Sequence, residues 1–263
     1  QQTERKLKTV LFVRGQRTVS LTPEGEEFLP FAEHMVDALI TQTENMQAGR
    51  GLPESRLNVS CLMSISHVVL PKALVEFRRS YPQVAFEVRE GVGNTINEDV
   101  RSGIVDFGIG NLEDHPPNMI TESVMEENLC VIMQRGHPLA GREFLRLPDL
   151  DGTPMISMPT DSGLRRLVDT RAMEAGVRLD HKVVTNQYSS LFRFASNGLG
   201  IAVVPISALP PDRDTGLAVR ALTPAITRQI CIMHMSERPL EPAAEAFLRT
   251  LRTLLADATS RSG

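Results

Sequence analysis

From Leu57 onward, short apolar runs alternate with amphipathic stretches of helical period, and this alternation constrains the fold more than any other feature of the chain. Leu57–Leu62 reads as a strand. A helix is expected from about Ser66 to Ser80, with Leu70, Ala73, Leu74 and Phe77 on its buried face. Ala85–Arg89 reads as the next strand. A further helix starts near Asn94 or Thr95 and stops at Gly103, and Val105–Gly110 reads as a third strand. A βαβαβ order implies a parallel sheet with right-handed crossovers. The pattern then repeats more loosely. Strands are expected at Leu129–Gln134, Met155–Met158, Lys182–Thr185, Ile201–Val204, Leu217–Leu222 and Gln229–Met235. One helix runs from Asp161 or Ser162 to Gly176, another from Ser189 to Asn197 before Gly198, and a last one from about Glu241 to Ala256. Two α/β lobes follow, 57–132 with 235–263 and 133–234, joined by crossing strands near 130 and 234. A ligand cleft is expected between them.

The first 56 residues have a different character. Leu7, Leu11 and Phe12 stand at helical spacing, Arg14-Gly15-Gln16-Arg17 reads as a turn, and Thr18 to Leu21 is β-prone. That order matches the end of a winged helix-turn-helix, over residues 1–21, with earlier helices expected in a longer polypeptide. Thr22-Pro23-Glu24 is a helix start, with a hydroxyl at the N-cap, proline at the first helical position and an acid in the first turn. The helix is expected to fill 22–50, with Pro30 as a kink. Phe28, Met35, Leu39 and Met46 lie on one narrow apolar stripe of an otherwise polar helix, which suits pairing with a second copy. Residues 51–56 read as a hinge.

Formal net charge is −4 over 263 residues, which argues against a chain-wide nucleic-acid surface. The distribution is uneven. Residues 1–22 hold Arg5, Lys6, Lys8, Arg14 and Arg17 against Glu4 alone, a net of +4 that leaves −8 for the rest. A basic head on an acidic body suits phosphate contact at one end, with Arg14, Arg17 and Thr18 as the candidate backbone contacts of a wing. No apolar run approaches the length needed to span a bilayer, so no membrane partner is expected and the localisation expected is cytoplasmic. Cys61, Cys130 and Cys231 sit in apolar runs without metal or redox spacing, so neither a metal site nor a cofactor is expected.

Within the α/β part, four strand ends feed helix starts, where backbone N–H groups and the helix dipole suit an anion. Ser64 and Ser66 follow the first strand, and Gly93, Asn94 and Thr95 the second. Thr160 precedes the helix that carries Arg165 and Arg166. Asn186 and Tyr188 follow a strand of the second lobe. Each polar side chain here also reads as a helix cap.

Five motifs in order then resemble one family, the LysR-type transcriptional regulators. Leu11-Phe12-Val13-Arg14 with Leu21-Thr22-Pro23-Glu24-Gly25 is similar to the family's wing and linker-helix signature. Leu70-Pro71, Phe77 and Tyr81-Pro82 resemble its first effector-domain helix. Gly103-Ile104-Val105-Asp106-Phe107-Gly108-Ile109, His137-Pro138-Leu139-Ala140 and Gly198–Pro205 resemble three further landmarks. The resemblance implies a two-lobed, periplasmic-binding-protein-like effector domain after a winged helix-turn-helix and a long linker helix. It implies promoter DNA as one partner, a small organic-acid-like inducer among the loops above, and a homodimer or homotetramer. A bilobal solute-binding protein is the alternative, though it predicts no wing. No nucleophile elbow, Walker loop, dinucleotide fingerprint or metal-spaced cluster is present, so no enzyme is expected.

Overall fold

Two hydrophobic clusters organise the molecule, and one long strand passes through both. The computed structural model describes residues 2–14, 19–29, 32, 36, 56–111, 117–210 and 215–260. The elements of the first lobe are β3 (Arg56–Leu62), α3 (Met63–Val68), α4 (Leu70–Ser80), β4 (Ala85–Gly91), α5 (Gly93–Ser102) and β5 (Phe107–Asn111). β6 (Met119–Gln134) crosses to the second lobe. There β7 (Phe144–Leu145), β8 (Pro154–Ser157), α6 (Gly163–Glu174), β9 (Asp180–Val184), α7 (Tyr188–Ser196), β10 (Ala202–Pro205) and β11 (Leu217–Leu222) follow. β12 (Thr227–Met235) and α8 (Pro242–Ser260) return to the first lobe.

The sheet order is β4-β3-β5-β12-β6-β11-β7, with β10 also on β6. β3 pairs parallel with β4 and β5, as the βαβαβ order requires. β6 pairs antiparallel with β12 from Met119 to Asn128, then with β10 and β11 from Leu129 to Gln134. The lobes therefore divide at 128/129 and 226/227, and the hydrophobic clusters divide at the same places. This corrects the expected boundaries at 132/133 and 234/235. The reason lies in the sequence of β6. Its first half alternates buried and exposed positions, as a half-solvated strand does, and only 129–133 is buried without interruption. The apolar run stood out alone, and the alternating half was missed.

The first cluster centres on Phe247 of α8, which is fully buried. Its ring lies 5.3 Å from Phe77, 4.9 Å from Phe86 and 6.1 Å from Phe107, so α8 closes over helix and sheet together. The expected helix 66–80 is two helices. It starts earlier, at Met63, and breaks at Val69 because Pro71 has no N–H to continue the ladder. α5 ends as expected at Gly103, whose φ of +77° suits glycine, and Gly103 and Ile104 N–H close on carbonyls of the last turn.

At the N-terminus, α1 (Gln2–Leu7) stops before Lys8, which has φ +54°. Phe12 belongs instead to β1 (Phe12–Arg14), antiparallel to β2 (Val19–Leu21). The helical spacing of Leu7, Leu11 and Phe12 was thus coincidental, since Leu11 packs from a loop while Leu7 and Phe12 are exposed. Glu4 takes the N–H of Leu11 at 3.0 Å and of Phe12 at 3.3 Å, and the bond from Leu11 leads in drawing its carboxyl below the usual range. Thr22 caps the next helix, α2 (23–29 among the described residues), as read, its Oγ1 accepting Gly25 N–H at 3.0 Å. Arg17, Thr18, Met35, Leu39, Met46, Pro30 and the hinge at 51–55 lie outside the described residues.

Truncating the aromatic centre, Phe247→Ala, is expected to cost about 3–5 kcal/mol of unfolding free energy. Denaturant unfolding checks this, and a loss under about 1 kcal/mol would show that α8 is not part of the first lobe's core.

Candidate functional site

The parallel strands β3 and β4 end on the same edge, so the turns into α3 and α5 project together toward the second lobe. α6 and α7 start from the opposite wall. A cavity lies between, lined by Ser64, Gly93, Asn111, Ser162, Tyr188 and Arg228 among others. Its volume of about 20 Å³ holds a water molecule and no metabolite. α3 spans the gap, since its Met63 packs into the second lobe's cluster.

Three helix starts face this space. The N-cap residues of α5, α6 and α7 are Val92, Ser162 and Gln187, and none makes a side-chain capping bond. Their first-turn N–H groups and positive dipole ends therefore stay uncompensated by capping side chains. The one charged lining residue among those described is Arg228. Its Nε and Nη2 donate to Oε1 of Glu127 at 2.8 and 2.7 Å, and Nη2 also donates to Ser64 Oγ at 2.6 Å. Glu127 Oε2 accepts the N–H of Ser207 at 3.0 Å. Tyr188 is buried against this group. Desolvation pushes its phenol pKa up, and the nearby Arg228 works the other way.

The structure places the sequence candidates unevenly. Ser64, Gly93 and Tyr188 line the cavity. Ser66 turns away, donating to Glu90 Oε1 at 2.5 Å, because α3 starts three residues earlier than read. Asn94, Thr95, Thr160 and Asn186 are exposed and outside the lining, since they stand one or more positions off the phase that faces inward. Arg165 and Arg166 are held within their own lobe, Arg165 by Asp169 at 2.5 Å and Arg166 by the carbonyl of Asp161 at 2.7 Å.

The sequence motifs pointed to none of Arg228, Asn111 and Glu127. A signal existed. Arg228 is in phase with the buried Ile230 and Ile232, and Glu127 with Met125 and Leu129. A charge in the buried phase of a strand needs a counter-charge.

A second network supports the wall. Ser157 Oγ and His181 Nδ1 are 2.6 Å apart, and His181 Nε2 lies 3.1 Å from Asp169 Oδ1 without hydrogen-bond geometry. Arg165 Nη1 reaches the carbonyl of Met158, a lining residue, at 3.3 Å. Burial first, and then Arg165, hold His181 below its ordinary value of 6.5. Burial also pushes the thiols of Cys61 and Cys130 up to about 12, so neither is a thiolate near neutral pH. No cluster of three metal-ligating side chains occurs among the described residues.

Residues 50–256 match the LysR substrate binding domain. The chain belongs to the LysR family of transcriptional regulators. It is similar to the uncharacterised HTH-type transcriptional regulator YfeR of Shigella flexneri, 27% identical over 92% of this chain and 79% of the relative. Its fold is that of full-length OxyR from Pseudomonas aeruginosa, with TM-score 0.73 and 22% identity over 95% of this chain and 82% of that one. The effector binding domain of QuiR, solved in complex with shikimate, has TM-score 0.69 and 19% identity over 77% of this chain and 98% of that one. The LysR relatives are regulators rather than enzymes, and no described helix is long and apolar enough to cross a membrane.

Two outcomes are expected. Arg228→Ala or Glu127→Ala each strands a buried charge and should cost about 3–5 kcal/mol, whereas Glu127→Leu with Arg228→Met should cost less than either. Additive losses in a double-mutant cycle would show the two side chains to be uncoupled. The unfolded chain protonates His181 before the folded protein does, so stability should fall as pH drops below about 6.5 and level off once the folded-state value is passed. His181→Gln should flatten that slope between about pH 7 and 5, and an unchanged slope would remove His181 from the account.

Proposed function

We propose that this LysR-family chain is a cytoplasmic, DNA-binding regulator that senses a small anionic metabolite between its two lobes. The observation that carries this is the convergence of three N-termini without capping side chains, α5, α6 and α7, on one cleft that also holds Arg228. Backbone N–H groups at helix starts take up negative charge without needing a lysine or arginine for the purpose. A neighbour of the same fold bound to shikimate supports a small organic acid as the class.

The antiparallel β1–β2 hairpin supports the reading of a wing, with Arg14, Arg17 and Thr18 contacting the DNA backbone. The linker-helix stripe of Phe28, Met35, Leu39 and Met46 pairs two copies, and a homotetramer is built from such pairs. Phe28 lies half-buried in the groove between its own helix and α5, so the pairing rests mainly on the other three. Val75 and Val88 of the first lobe and Met173 and Val184 of the second are exposed apolar residues that an oligomer would cover.

The test is a mobility shift of the full gene product on DNA upstream of its own gene, across a salt titration and pools of small organic acids. A shift that weakens with salt and changes with one acid pool is expected. A folded oligomer that gives no shift at low salt would favour a bilobal solute-binding protein instead. Arg17→Ala should weaken binding to all sequences alike and lower the salt slope by about one. An unchanged slope would remove Arg17 from the interface.

A further inference from the structure

Arg228 and Glu127 are a direct cross-strand pair of β12 and β6, at the point where both strands leave one lobe for the other. Only 5% of the Arg228 side chain and 3% of that of Glu127 reach solvent. Glu127 does not line the cavity, so it acts on a ligand through lining residues, Arg228 above all. Because Oε1 takes both Nε and Nη2, the guanidinium edge best shaped for a bidentate anion is already filled.

The electrostatics of the cleft follow from this. The pair sums to zero, and breaking it to free Arg228 would leave a buried carboxylate without a counter-charge. What remains positive is backbone, the three helix starts, each worth roughly half a charge. Such a site has capacity for one negative charge and little for a second. The end of β5, beside β12, adds a different demand. Asn111 lies there, and its Oδ1 is buried with no hydrogen-bond partner among the described residues. A ligand that donates a hydroxyl or amine N–H satisfies it.

We infer that Glu127 sets the charge of the ligand: by neutralising Arg228 it makes the cleft selective for a monoanion carrying a hydrogen-bond donor, and it rejects dianions such as phosphate esters and dicarboxylates. This rests on the reading of the cleft as an anion-binding effector site. Glu127 is a positioning residue, and the ligand meets Arg228, Tyr188 and the helix starts.

The test uses Glu127→Gln, which keeps the shape and one acceptor and releases the charge of Arg228. The probes are glycolate, a monoanion whose hydroxyl is a hydrogen-bond donor, and inorganic phosphate in mildly alkaline buffer, where it is a dianion. The chain has two tyrosines and no tryptophan. Tyr81 stacks on Phe77 away from the cleft, so a Tyr81→Phe background makes the ultraviolet difference spectrum a report on Tyr188 alone. Expected are a saturable glycolate response in the parent and a phosphate response in Glu127→Gln at least about tenfold tighter than in the parent. That gain should vanish when Arg228→Gln is added. Equal phosphate affinity with and without Glu127, or a gain that survives Arg228→Gln, would overturn the inference. Glycolate silence in the parent together with the phosphate gain would support the role of Glu127 and sink the anionic effector. If Glu127→Gln cannot be purified folded, its refolding yield in phosphate against chloride at matched ionic strength reads the same selectivity, and equal yields would overturn it.

Discussion

The molecule depends on β6 being one unbroken strand. Its 16 residues span roughly 50 Å, more than one lobe's sheet can use. Its first ten residues therefore run against β12, with a bulge at Val124, and the last six pair with β10 and β11. Continuous backbone hydrogen bonding through the crossing leaves neither lobe hanging on a loop. The second connection is the short 223–226 link from β11 to β12, whose Ile226 carbonyl takes the N–H of Leu129 on β6, so both crossings lie side by side and β6 sets how the lobes sit.

The polar group at this crossing is unusual in what it joins. Ser64 comes from α3 in the first lobe, Arg228 and Glu127 from the crossing strands, and Ser207 from the second lobe. One carboxylate thus holds a guanidinium with one oxygen and the backbone of the other lobe with its second. A buried pair of this kind adds little net stability compared with apolar residues, since desolvation offsets the attraction. What it supplies is a fixed local charge and a fixed orientation for Arg228 in the wall of the cleft. Tyr188 packs on the same group and stacks its ring with Phe192 at 5.9 Å, which fixes the start of α7.

Much of this was legible in the sequence, for a physical reason in each case. α4 and α5 follow from periodicity because each buries one face against the first core, β3 from an apolar run buried on both faces, and β4, an edge strand, from its β-prone run with Phe86 packed on that core. Gly103 and Thr22 announce helix ends because positive φ and an N-cap hydroxyl are local demands. The crossing of β6 was not legible, because half of it is solvated and polar and carries no apolar run. The site was only partly legible. Ser64, Gly93 and Tyr188 sit at the strand-to-helix turns, where a general rule looks for them. Arg228 and Glu127 are 101 residues apart and meet only through tertiary pairing. The exposed Asn94, Thr95, Thr160 and Asn186 show the limit of that rule, since it finds the right loop without telling which side chain in it turns inward.

The small size of the cavity bears on how occupancy could be transmitted. At about 20 Å³ the cavity is smaller than any organic acid, so side chains or lobes must shift to admit one. Where the lobes are what shifts, binding energy and lobe separation are coupled through volume. A ligand favours the wider arrangement to the extent that it binds it better than the narrow one. The narrow arrangement has contacts of its own to oppose this, namely Met63 in the second lobe's cluster and the Ser64–Arg228–Glu127–Ser207 chain of hydrogen bonds. A ligand that replaces the bond from Arg228 to Ser64 weakens the narrow state while it stabilises the wide one. That residue is therefore placed to affect both sides of the balance.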